Sequence, residues 1–204
     1  MNEKIASVIF FTFMVKLAMK IWIIIALVAL LALIVIVLYN GLIRRQMLTK
    51  EAWAQIDVQL KRRNDLIPNL VNSVKAYATH EKTTFEQVTS ARTALTNAPS
   101  TVEAMTASNQ LTSGLSRLMM VAEAYPELKA DTNFLKLQTE LTTTENKIAM
   151  TRQLYNSATG NYNAKLRQFP WNLLAKLFQL KAADFFQTTT DEARNVPITE
   201  GLSA

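Results

Sequence analysis

The side chains that could do chemistry in this chain are few, and their spacing decides against most of it. His80 is the single histidine and is followed by Glu81. A helical zinc-protease site needs a second histidine four residues on, and that position is Thr84. His80 therefore reads as a solvent-facing helix residue. There is no cysteine, which removes disulfides, thiolate metal ligands and thiol nucleophiles together. No phosphate-binding glycine loop, nucleophile elbow or repeated Glu-x-x-His pattern is present. The expectation is a protein without enzymatic activity, cofactor or metal.

Charge and aromatic surface remain. Lys61, Arg62 and Arg63 form the densest basic run, with Asp57 four residues before Lys61 and Asp65 three after Arg62. That spacing allows self-pairing on a solvated face, an ion pair to a second subunit being the alternative. The net charge of +6, from 22 Lys and Arg against 16 Asp and Glu, suits a protein near anionic headgroups. The basic residues are scattered among acids, so no nucleic-acid partner is expected. Trp171, Phe178, Phe185 and Phe186 gather near the C-terminal end. They serve either as a latch capping a bundle or as a contact with membrane or a neighbouring subunit. Pro68 is either a bend that fits a helix to its bundle or a hinge.

The elements that position these residues begin with an anchor. Residues 21–43 carry no charge, and as a helix they reach about 34 Å, enough for a bilayer core of about 30 Å. Trp22 and Tyr39 lie near the two ends of the run, and Arg44 and Arg45 close it, as membrane-anchoring residues do. Residues 1–20 hold a shorter apolar core and read as an interfacial segment or an extension of the membrane helix, a cleaved signal being the alternative.

From Arg44 the apolar pattern becomes one-sided. Trp53, Leu60, Ile67, Val74, Val88 and Leu95 recur at multiples of seven, with Glu81 the exception, beside a companion row of Ile56, Arg63, Leu70, Tyr77, Thr84 and Ala91. This predicts one long helix ending before Asn97, kinked or briefly broken at 65–68. Ser100 and Glu103 have capping-box spacing for a second helix reaching about Ala124, and Tyr125-Pro126 stops it. Asp131 caps a third, whose seam is Phe134, Leu141, Ile148, Tyr155, Tyr162 and Phe169, with Gly160 a weak point. A short fourth segment spans 171–181, and 187–204 is a flexible polar tail. The fold class expected is all-α: a transmembrane helix followed by an elongated, antiparallel, coiled-coil-like bundle of three to four helices over 44–186.

Several stretches resemble one family. AWAQIDVQLKRRNDLIPNLVNSVKAYATHE at 52–81, VTSAR at 88–92, GLSRLMMVAEAYPELKA at 114–130 and FLKLQTELTTTENKIAMTRQLYNSATGNYN at 134–163 are similar to the LemA family of bacterial membrane proteins. The resemblance ends with Phe169-Pro170 and covers nearly the whole soluble part. The apolar start before Lys16 is longer than the family's short amino-terminal tail. The resemblance implies one N-terminal membrane helix, a helical bundle and no catalytic residues to carry over. A relative that takes part in forming the magnetosome membrane leans the family toward membrane organisation.

The functional expectation is a single-span protein bound to the lipid bilayer, whose helical rods self-associate as a homo-oligomer to scaffold or shape the bacterial membrane. The alternative is an adaptor presenting its bundle to another membrane protein, a protease or transporter. The inner membrane is the expected location. The excess of Lys and Arg after the span favours a cytoplasmic domain, with a periplasmic or external one as the rival.

Overall fold

A computed structural model describes residues 2–187, and its regular structure is helical throughout. The helices are α1 Asn2–Lys75, α2 Lys82–Thr96, α3 Thr101–Glu123, α4 Pro126–Ala130, α5 Thr132–Arg167 and α6 Trp171–Leu177. The all-α class holds, with no strand among the described residues. Of the expected tail, 187–204, all but Gln187 lies outside the described residues. The chain divides into two compact units, Met1–Met47 with Tyr162–Ala182, and Leu48–Asn161 with Ala183–Ala204.

In the unit that begins at Leu48, four helical stretches alternate in direction. Opposed pairs fix α1 and α5 as antiparallel neighbours: Trp53 meets Tyr155 with ring centroids 5.5 Å apart, and Arg63 meets Glu145 at 3.1 Å. α2 returns along α1, where Asn64 Nδ2 donates to Thr96 Oγ1 at 3.0 Å. α3 turns back on α2 so closely that a Cβ on Gly114 would stand 3.2 Å from Val88 Cγ2. The result is a four-helix bundle of alternating direction.

The single long helix expected to end before Asn97 is thus two. α1 passes through Pro68 without the expected break and ends at Lys75. The chain reverses over 76–81, with Ala78 buried and His80 exposed in the turn rather than on a helix. The reason is tertiary. Continued straight, the helix would carry Phe85, Val88 and Ala91 off the end of the bundle, whereas folding back buries all three. Glu81, the one lapse in the heptad row, stands immediately before α2.

Local signals elsewhere act as their chemistry suggests. Ser100 Oγ accepts from the Glu103 amide at 3.2 Å, and Asp131 Oδ1 accepts from the amides of Asn133 and Phe134 at 2.7 and 3.0 Å. Mid-helix Thr and Ser hydroxyls donate to the carbonyl four residues back, as Thr142 does to Gln138 at 2.9 Å. The α5 seam is buried at each expected position from Phe134 to Tyr162, but Phe169 lies beyond the helix end and is exposed. Pro126 opens the short α4 rather than only stopping α3. A Cβ on Gly160 would meet nothing closer than the Phe185 ring, at 3.8 Å.

In the other unit, the side chains of α1 along 21–37 are almost all exposed, as a lipid-facing surface is. The helix is long and apolar enough to cross a membrane. α6 is shorter than the expected 171–181. Gln179 takes a positive φ of 53°, while the amides of Gln179 and Leu180 donate to the carbonyls of Lys176 and Ala175 at 3.3 and 2.9 Å. These two bonds make a Schellman cap with glutamine where glycine is usual.

Candidate functional site

Buried polarity in the bundle begins at Arg63, which is 0 % exposed. Its heptad neighbours Ile56 and Leu70 are core residues, so the register of α1 drives a guanidinium inward. There Arg63 Nη1 donates to Thr112 Oγ1 at 3.0 Å and to Glu145 Oε1 at 3.1 Å. Nη2 donates to Ser108 Oγ at 2.7 Å and to the Ser108 carbonyl at 3.2 Å. Nε has no partner. The layer separates two apolar clusters. On one side lie Ile67, Leu70, Leu111, Leu115 and Leu141, and on the other Ile56, Leu60, Met105 and Ile148. Arg63 therefore leaves the exposed cluster in which its sequence neighbours placed it, while Lys61 and Arg62 are exposed. Burial depresses the Arg152 guanidinium below its ordinary value, the charge of Arg63 adds to this, and Glu145 opposes it. Burying the Arg63 guanidinium is costly, and its partners on α3 and α5 tie it to one register of the bundle.

The second structural group is a strap. Residues 183–187 run beside α5, and the Asn156 side chain brackets Phe186 by accepting from its amide at 2.8 Å and donating to its carbonyl at 3.1 Å. Tyr155 donates to the Asp184 carbonyl at 2.8 Å, and Asn109 Nδ2 to the Gln187 carbonyl at 3.0 Å. Phe186 is buried against Trp53 and Tyr155, and the Arg152 guanidinium lies 4.2 Å over its ring. Phe186 thereby joins the apolar cluster of Ile56, Leu60, Met105 and Ile148 from α1, α3 and α5. It is not available to a membrane; Phe185 next to it is half-exposed. Burial raises the Tyr155 hydroxyl above its ordinary value.

Pro68 explains a third contact. Lacking an amide hydrogen, it cannot bond the Asn64 carbonyl one turn back. Arg92 Nε of α2 takes that carbonyl at 3.2 Å. Around it runs a groove of about 710 Å³ between α1 and α2, lined among others by Asp57, Lys61, Asn64, Asp65 and Arg92, with Asn64 Oδ1 buried and unpartnered. Among the described residues no group of acidic or histidine side chains could hold a metal.

In the membrane-helix unit, Tyr39 is half-buried with its ring centroid 4.6 Å from that of Phe178. Trp22 and Arg44 are exposed and Arg45 is half-buried. Trp171 is half-buried with the Lys165 ammonium 3.4 Å over its ring, and Tyr162 donates to the Lys181 carbonyl at 3.0 Å. The aromatic group therefore splits. Phe186 belongs to the bundle core, and Trp171 and Phe178 belong with the membrane helix.

A family model described as the LemA family matches residues 52–200. The chain is 27 % identical over 175 residues to magnetosome protein MamQ 2 of Paramagnetospirillum magneticum, covering 73 % of this chain and 64 % of that protein. It is 28 % identical over 162 residues to protein LemA of Metamycoplasma hominis, covering 79 % and 74 % respectively. It thus spans just under two thirds of the length of the MamQ relative.

Proposed function

Because the chain belongs to the LemA family, we propose that it is a non-enzymatic single-span protein of the bacterial inner membrane whose bundles pack side by side into a homo-oligomer that scaffolds or shapes the bilayer. One observation carries this reading. Val58, Met150 and Leu154 are exposed on the flanks of the antiparallel α1–α5 pair, and the pairing of Trp53 with Tyr155 and Arg63 with Glu145 sets Val58 and Met150 at one level. Each is a large apolar side chain left exposed on a helix of the same antiparallel pair, and a second copy packed along that pair would cover them. The magnetosome name of a relative supports a role in membrane organisation. The domain faces the cytoplasm in this reading, following the charge excess after the span.

A chain without native cysteine makes the test direct. Met150→Cys in native membranes should cross-link copy to copy under mild oxidation, and Glu86→Cys, on an exposed charged face, should not. Cross-linking at neither position, or at both alike, refutes packing through this face. The groove holding Asp57, Lys61, Asp65 and Arg92 favours the adaptor as second reading, because its unpartnered Asn64 oxygen would accept a donor from another membrane protein. A stoichiometric partner lost on Asp65→Lys would support it.

A further inference from the structure

We propose that the segment 169–178 is a second membrane contact, seated in the headgroup layer of the bilayer that α1 crosses. The argument lies within the unit formed by Met1–Met47 and Tyr162–Ala182. From Ile21 to Ile34 the side chains of the membrane helix are exposed, after which Val35, Leu38, Tyr39 and Leu42 are half or fully buried on one stripe. Within the unit, the Phe178 ring lies against that of Tyr39, with centroids 4.6 Å apart and the planes tilted by 50°. Tyr39 is still inside the uncharged run, and Arg44 ends it, so whatever packs here lies at the level where α1 leaves hydrocarbon.

At that level the segment is apolar toward the outside. Phe169 is 76 %, Leu173 59 % and Leu177 71 % exposed, while Leu174 and Ala175 face inward and are buried. An amphipathic turn that buries Leu174 and Ala175 and leaves three large apolar side chains out has its second apolar phase in lipid. Charge agrees. Between Tyr162 and Ala182 there are four cations, Lys165, Arg167, Lys176 and Lys181, and no acid. Long basic stems extending from an apolar patch suit the anionic headgroup zone. The segment meets the membrane helix at Tyr39, inside the uncharged run, and carries exposed apolar side chains and only basic charges there, so lipid is the occupant it fits.

The test uses the full chain in vesicles of phosphatidylethanolamine and phosphatidylglycerol, with an environment-sensitive fluorophore on the only cysteine of Leu177→Cys. A probe on Ile34→Cys, within the span, reports that α1 is inserted. Nitroxide lipids should quench the Leu177 probe by more than about half, and aqueous iodide should quench it little, because a side chain seated at the acyl boundary meets lipid and not water. The same probe on Glu86→Cys should show the reverse. Quenching of the Leu177 probe by iodide and not by nitroxide lipid overturns the proposal. So does protection from both quenchers, which would mean that protein covers the face. Either failure leaves self-association through Met150 standing, since that rests on the other unit.

Discussion

Arg63 places a guanidinium where residues one heptad away are Ile56 and Leu70, and its partners show why this is tolerated. The oxygens that receive its protons all come from α3 and α5, so a slip of either helix by one turn would strand the guanidinium. Glu145 is 33 % exposed at its side chain, and Arg63 is not exposed at all. Removing the carboxylate therefore harms more than replacing the cation. Glu145→Ala should destabilise the bundle by about 3 kcal/mol, and Arg63→Met by clearly less, because an apolar side chain of similar length ends the desolvation penalty. Thermal unfolding of the two variants in detergent checks the order; an Arg63→Met variant weaker than Glu145→Ala contradicts it. In the sequence, adjacency to Lys61 and Arg62 points Arg63 toward a surface cluster, and its charged place in a seam row is the signal that points inward. Tyr155 gives a pH dependence at the same scale. Its hydroxyl sits above its ordinary value of 10.0 because burial disfavours the phenolate. Below about pH 10 the folded and unfolded chains both keep the proton, and the full stabilisation is present. As pH rises from there through the raised folded value, the unfolded chain releases its proton first and stability falls. Tyr155→Phe should reduce that alkaline loss while lowering neutral stability by about 1 kcal/mol through the lost bond to the Asp184 carbonyl. Unfolding followed from neutral to alkaline pH reads both effects.

Among elements, Pro68 is a docking point. The carbonyl it frees at Asn64 is where α2 fastens through Arg92. Pro68→Ala restores an amide to that carbonyl, so Arg92→Ala should cost roughly 1 kcal/mol less in the Pro68→Ala background than alone. Additive effects in this double-mutant cycle would contradict the account. How far each element can be read from the sequence follows from how it is specified. Asp131 and Ser100 are local caps, and the α5 seam is a local period, so all three are legible residue by residue. The turn at 76–81 is hidden because Val74, Glu81 and Val88 keep heptad spacing across it, and only the burial gained by Phe85 and its neighbours decides the reversal. The strap at Phe186 carries no periodic signal at all, since it is held by side-chain brackets from Asn156 and Asn109, far away in sequence.

For the whole molecule, the Arg63 layer fixes the register of the bundle and the strap closes one end of its core. Exposed apolar side chains carry the two proposals: Val58, Met150 and Leu154 for contact with other copies, and Phe169, Leu173 and Leu177 for contact with lipid. The most direct test is the mass of the full chain extracted with its surrounding lipid by a membrane-excising polymer. A membrane scaffold predicts one discrete multimer, reduced to smaller species by Met150→Glu. A monomer with wild-type residues at native abundance, unchanged by that substitution, would contradict self-assembly and turn the search toward a partner for the α1–α2 groove.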